Sequence, residues 1–147
     1  MTFLIPRKLP SLNEYINACR RNAYAGATFK KNVENKIIDD IRVAVNDNSV
    51  RPIGEKTVIL NIDFYEKTKK RDADNIQSAT KYILDAMQKA GILINDSRKY
   101  VKQIYHNIYD SDRDFVIVHI YDEQKENNKE NGDKNEKNDK SETKKSS

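Results

Sequence analysis

The chain is poor in the residues that would announce most kinds of site. Its single cysteine, Cys19, leaves no partner for an internal disulfide and suits a reducing compartment. A cysteine nucleophile would need a histidine beside it. The only two histidines, His106 and His119, both fall far along the chain in a strand-like region. Nothing near either one completes a zinc set. No apolar run approaches the roughly 20 residues of a membrane span. The opening Met-Thr-Phe-Leu-Ile-Pro is too short an apolar stretch for a secretory signal. These absences lead to the expectation of a cytoplasmic protein with no membrane partner and no organic cofactor.

What is present is charge. Charged residues make up 34% of the 147, against 37% hydrophobic, which leaves material for one core. Eight of the 23 acidic residues and seven of the 27 basic ones lie from Asp122 onward. That leaves 20 basic against 15 acidic residues in 1–121, a net of +5. A basic body suits a polyanion partner. The stretch 122–147 holds no apolar residue, so burial cannot offset its ordering entropy. The reading is a folded domain over 1–121 and a disordered charged tail over 122–147.

Local patterns divide the domain. Residues 2–5 read as a short strand ending at Pro6. Ser11-Leu12-Asn13-Glu14 is a capping box, so a helix should run over about 11–19. Arg20 to Ala27, with Gly26, reads as a loop. From Thr28, Val33, Ile37, Ile41 and Val45 recur four apart, one face of a helix reaching about residue 46. Val58, Leu60, Ile62 and Phe64 alternate with Asn61, Asp63 and Tyr65, which is a strand. A helix over about 74–90 follows, with Ile76, Ala79, Ile83, Leu84 and Met87 as its apolar stripe and Gly91 as its stop. Ile92–Ile94 is buried or strand-like, and Asn95-Asp96-Ser97 is a turn. Two strands, 99–109 and 115–121, joined by Asp110–Arg113, are expected to pair as an antiparallel hairpin. The fold class is therefore mixed α+β: a mixed, mostly antiparallel sheet of about four strands flanked by helices.

Asp72 and Asp74 open the helix at 74. One reading is structural, with one of them capping the helix and the other favouring its positive end. Their surroundings point to a second reading. Lys67, Lys69, Lys70 and Arg71 precede them, and Asp96, Arg98, Lys99 and Lys102 follow the helix. Phosphodiester hydrolysis needs an activated water and neutralisation of the phosphate's charge. Mg²⁺ supplies both and prefers a few hard carboxylate oxygens, whereas histidine and cysteine suit it badly. A helix of some 17 residues spans about 25 Å. Asp96 therefore meets the pair in one of two ways: across a subunit contact, or after Ile92–Ile94 runs back in extended form.

At this point the residues resemble a known family. Arg71-Asp72-Ala73-Asp74-Asn75, then Ile83-Leu84-Asp85-Ala86, then Ala90-Gly91-Ile92-Leu93-Ile94-Asn95-Asp96, is similar to the RusA family of Holliday junction resolvases. Leu9-Pro10-Ser11-Leu12-Asn13-Glu14-Tyr15 resembles the N-terminal segment of its Gram-positive and phage-borne members. The resemblance spans residues 1–121 and is densest over 70–97. It implies a homodimeric endonuclease that resolves four-way DNA junctions by paired nicks. It implies Mg²⁺ (with Mn²⁺ as a substitute) held by Asp72, Asp74 and Asp96, and a signature completed by Asn75. The family's catalytic lysine stands four residues past the second aspartate, where this chain has Ser78. Matched backward from Leu84-Asp85, the lysine is Lys81, with about three extra residues before it. DNA contacts are expected from Lys69, Lys70, Arg71, Asn75, Arg98, Lys99 and Lys102.

Arg20, Arg21, Lys30 and Lys31 flank a segment with Tyr24 and Phe29. It reads either as a DNA-contacting loop or as a solvated one. Asp63 is a possible addition to the acidic site. Asp85, among apolar neighbours, reads as structural or as a partner for a buried cation. His106 and His119 read as sheet residues. Two other functions are open to the same residues. One is a non-catalytic DNA-binding module whose aspartates only cap a helix, and the other is a toxin-like ribonuclease.

Overall fold

The structure, a computed structural model, describes residues 1–123. The expectation of a disordered tail falls largely on 124–147, outside the described residues. Its first two residues belong to the domain: Asp122 closes the last strand and lies 3.7 Å from Lys56, and Lys102 donates to Glu123 at 2.6 Å.

Two helices follow the first strand, β1 (Thr2–Ile5): α1 (Leu12–Arg21) and α2 (Ala23–Asn46). The capping box forms as read. Ser11 Oγ accepts from the Glu14 amide, and Glu14 accepts from the Ser11 amide at 2.7 Å. The loop expected over 20–27 is instead the end of α1 and the first turn of α2. Asn22 separates them, its side chain accepting from the Ala25 amide at 2.7 Å. Gly26 is no breaker here. A Cβ on it would stand 2.5 Å from Cys19 Sγ, so the missing side chain lets the two helices cross closely. The apolar stripe of α2 is also shifted. Ile37 and Ile41 are buried, but Ala44 replaces Val45 at the core. Steps of four drift about 40° each on a helix with 3.6 residues per turn, so the third step leaves the face.

The central strand is β2 (Val58–Glu66). The segment after it forms α3 (Ala73–Gln77) and α4 (Thr80–Lys89), then come β3 (Val101–Asp110) and β4 (Phe115–Asp122). The single helix expected over 74–90 is thus interrupted at Ser78–Ala79. Bonds three residues apart, from the Ala79, Lys81 and Tyr82 amides to the Ile76, Ser78 and Ala79 carbonyls, tighten the chain there. Gly91 ends α4 as read. Its φ is 77°, and the Gly91 and Ile92 amides bond to the Gln88 and Met87 carbonyls, a Schellman ending.

The sheet order is β1-β4-β2-β3. The expected β3–β4 hairpin does not form. β3 pairs parallel with β2 on one side, and β4 pairs antiparallel with it on the other. The inner row of β2 (Val58, Leu60, Ile62, Phe64) is buried throughout and takes neighbours on both flanks. Crossing one intervening strand spans about 10 Å, which four extended residues reach. The turn 111–114 is pinned over the end of β2 as it crosses. The Ser111 amide donates to the Glu66 carbonyl, and the Lys67 amide to Asp114 Oδ1. Ile37 and Ile41 of α2 and Tyr82, Ile83 and Met87 of α4 belong to the core over the inner face of the sheet.

Candidate active site

β2 delivers the chain to its C-terminal end, and the basic run leaves from there. Arg71 turns inward. Its guanidinium donates to the buried Glu66 carboxylate and, at 2.8 Å, to the Leu9 carbonyl. It is therefore a structural cation rather than one offered to DNA. Lys69 lies 3.5 Å from Asp110 on the surface, and Lys70 is exposed, without an ion pair among the described residues.

Asp72 takes the N-cap position of α3, yet its side chain makes no capping bond. Asp74 follows in the first turn. Both are exposed, and among the described residues neither carboxylate has a hydrogen bond or ion pair. The capping explanation therefore accounts for the position of Asp72 and leaves its oxygens free.

The N-terminal segment fastens this helix in place. Leu12 N donates to Ser78 Oγ at 3.1 Å, Ser78 Oγ donates to the Asn75 carbonyl at 2.6 Å, and Asn13 Nδ2 donates to Asn75 Oδ1 at 2.9 Å. One turn on, the buried Tyr82 hydroxyl donates to the Ser11 carbonyl at 3.1 Å. Burial, more than any neighbouring charge, pushes the Tyr82 phenol up to about 12. Ser78 is thus occupied in joining α1 to α3.

Lys81 is placed differently. After Gly91 the chain runs back along α4 in open form, and an Asn95 turn, with Oδ1 accepting from the Ser97 amide, presents Asp96. Five extended residues return about 16 Å, which matches the rise of about 15 Å between Lys81 and Gly91. Lys81 Nζ lies 3.4 Å from Asp96 Oδ2 and 3.2 Å from Asp85 Oδ1. The hydrogen bond to Asp85, with lesser help from Asp96, holds its pKa above the ordinary lysine value. Asp85 also takes Lys30 at 3.2 Å, and Lys30 with Lys89 flanks the buried Glu34. Glu34 carried no signal in the sequence. It sits at a core position of α2, where an apolar residue is expected.

The three aspartates are not brought together in one protomer. Among the described residues no three carboxylate, histidine or cysteine side chains form a group able to hold a metal ion. Lys81 stands about 10 Å along the helix axis from Asp74, and Asp96 stops at Lys81. Asp72 and Asp74 fit Mg²⁺ in kind, since that ion is commonly held by one or two carboxylates and keeps several waters. Asp96 does not join them within the single chain.

Asp63 lies elsewhere. It faces the side of the sheet away from the helices, where His119 Nε2 lies 2.9 Å from Oδ2 and Asn107 Nδ2 donates to Oδ1 at 3.0 Å. His106 is a sheet residue on the helix side, 2.8 Å from Thr80 Oγ1, and burial lowers its pKa.

The second basic group is remote from the first. Arg98, Lys99 and Lys102 precede or begin β3, whose Val101 pairs with Val58, while the run 67–71 leaves the far end at Glu66. Nine strand residues separate those ends, about 27 Å. Lys99 lies 3.9 Å from Glu55 and over the Tyr100 ring. Arg20 and Arg21 are exposed in the last turn of α1, whose first turn touches Asn75. Tyr24 is 81% exposed at the start of α2, and Phe29 packs on the core.

No protein-family model matches the chain, and no curated protein matches it significantly.

Proposed function

We propose that the chain is a divalent-metal-dependent endonuclease acting on four-way DNA junctions as a homodimer, in the manner its motifs resemble. The observation that carries this reading is the freedom of Asp72 and Asp74. Among the described residues two carboxylates at the head of a helix bond to nothing, although Asp72 stands where a cap would bond. A protein that used them only as caps would engage at least one.

Asp72 and Asp74 would hold Mg²⁺, with Mn²⁺ as a substitute. The ion, when bound, supplies an activated water and neutralises charge on the phosphate. Asn75 is steadied by Asn13 beside them. Lys81, its pKa raised by Asp85, stays protonated at neutral pH. It therefore serves as a cation or proton donor toward a leaving oxygen, not as a base. Lys67, Lys69 and Lys70 are exposed around the end of β2 and suit backbone phosphates. Asp96 would complete the acidic set from the partner subunit, or through a shift toward the pair on binding. Two such sites in a dimer would nick opposed strands.

The test is cleavage of a synthetic four-way junction against a linear duplex of the same sequence, with and without Mg²⁺. Nicking of the junction alone, dependent on the metal, is the expected result. Equal cutting of both substrates would remove junction selectivity. Absence of cutting with retained, salt-sensitive binding would favour a non-catalytic binding module.

A further inference from the structure

The described helices lie on one face of the sheet only. On the other face the register aligns Tyr121 with Ile59 and Tyr105 with Asn61, and it sets Tyr65 between Tyr109 and Phe115. The three rings at that end stack across three strands, Tyr65 at 5.0 Å from Tyr109 and 4.3 Å from Phe115. No described helix covers this face. Leu4 is 52% exposed, Tyr105 51%, Tyr109 44% and Tyr121 43%. Exposed rings and an exposed leucine gathered on one open sheet face in this way mark an interaction site.

The choice of occupant follows from charge. The sheet's one lysine near this face, Lys102 at the bulge of β3, is taken up by Glu123 at 2.6 Å. The face's one carboxylate, Asp63, is answered by His119, Asn61 and Asn107. A nucleic-acid strand would find rings to stack on, while the lysine beside them is already held by a carboxylate. Residues 124–147 contain no apolar side chain to lay against the rings. A second copy of the same face brings apolar surface without like-charge repulsion, although the body around it carries +5. The size fits as well. Four strands of 4 to 10 residues present a patch on the order of 500 Å² before side-chain relief, below the ~800 Å² each partner gives to a standard interface but of the same order.

We propose that this open face is where two copies of the chain meet, about a twofold axis, burying Leu4, Tyr105, Tyr109 and Tyr121. The proposal names the surface of the dimer invoked above. It leaves the helices of both copies facing outward, so Asp96 would then join its own Asp72 and Asp74 by a shift and not from the partner. It stands on the sheet alone, whether or not the chain cuts DNA. The Asp63–His119 pair lies at its centre. Because its hydrogen bonds are already made, covering it leaves no bare charge.

The experiment is mass by sedimentation equilibrium on the full chain, over about 1–100 µM. The wild type should sediment at twice its 17.1 kDa. Tyr105→Glu sets a carboxylate on the face of both copies and should weaken dimerisation at least about 100-fold, with circular dichroism and melting unchanged. Leu4→Glu, on the opposite edge strand, should do the same, and Lys70→Glu should leave the dimer intact. A monomeric wild type at about 100 µM would overturn the proposal, as would dimers in both face variants. Binding of an oligothymidine by a monomeric wild type, lost in Tyr105→Glu, would make the face a base-stacking surface instead. Junction cleavage is scored on the same samples. A dimer that does not nick removes the nuclease reading alone, and a monomer that nicks removes this interface alone.

Discussion

Asp63 and the pair Asp72 and Asp74 are nine residues apart at the nearest and stand in opposite conditions. Asp63 is 8% exposed, and both its oxygens are bonded, to His119 on one side and to asparagine amides on the other. Asp72 and Asp74 are exposed, their oxygens without a partner among the described residues. A carboxylate saturated with donors organises its neighbours and has little left for a ligand. One that is solvated and unbonded keeps its lone pairs for a cation. The same division runs through the basic run, where Arg71 is engaged and Lys70 is exposed to solvent.

Five substitutions and one titration test this division and the packing around it. Arg71→Ala should have the largest effect on stability. It strands the Glu66 carboxylate in the core and should cost about 3–5 kcal/mol, whereas Lys70→Ala should stay within about 0.5 kcal/mol. Chemical denaturation measures both, and equal losses would erase the distinction. Lys81→Ala comes next. It should lower junction nicking by about 100-fold, roughly 2.7 kcal/mol in the barrier, with melting nearly unchanged because the side chain is half exposed. Asp63→Asn should show the reverse pattern. Stability should fall by about 1–3 kcal/mol as the acceptor for His119 weakens, while the nicking rate stays at the wild-type level. Loss of nicking there would move the site to the sheet. The last effect is alkaline. With the Tyr82 phenol raised from 10 to about 12, the unfolded chain loses that proton first. Stability should therefore hold below pH 10 and fall as pH climbs through 12. Tyr82→Phe should flatten that part of the profile.

Sequence-local signals were the ones legible without coordinates. The capping box at Ser11 and Glu14, the alternation in β2 and the stop at Gly91 each involve residues within a few positions of one another, and each formed. What failed depended on partners far along the chain or across the fold. Gly26 looked like a loop residue because Cys19, which it lets approach, lies on another helix. β3 and β4 looked like a hairpin because a turn over β2 uses the same residues as a turn between neighbours. In the site, D-x-D-N and its helix could be read, and so could the doubt between Ser78 and Lys81. The bonds Ser78 makes to Leu12 and Asn75, and the reach of Asp96 back to Lys81, could not. The grouping of 67–71 with 98–102 assumed nearness that a parallel strand pair rules out, because it puts their charges at opposite ends.

The central claim is that Asp72 holds a catalytic cation rather than a helix end, and one substitution addresses it directly. Asp72→Asn keeps the shape and can still cap, so melting should be unchanged and junction binding retained. Mg²⁺-dependent nicking of the four-way junction should fall by on the order of 1,000-fold. Nicking at the wild-type rate by that variant would contradict the account.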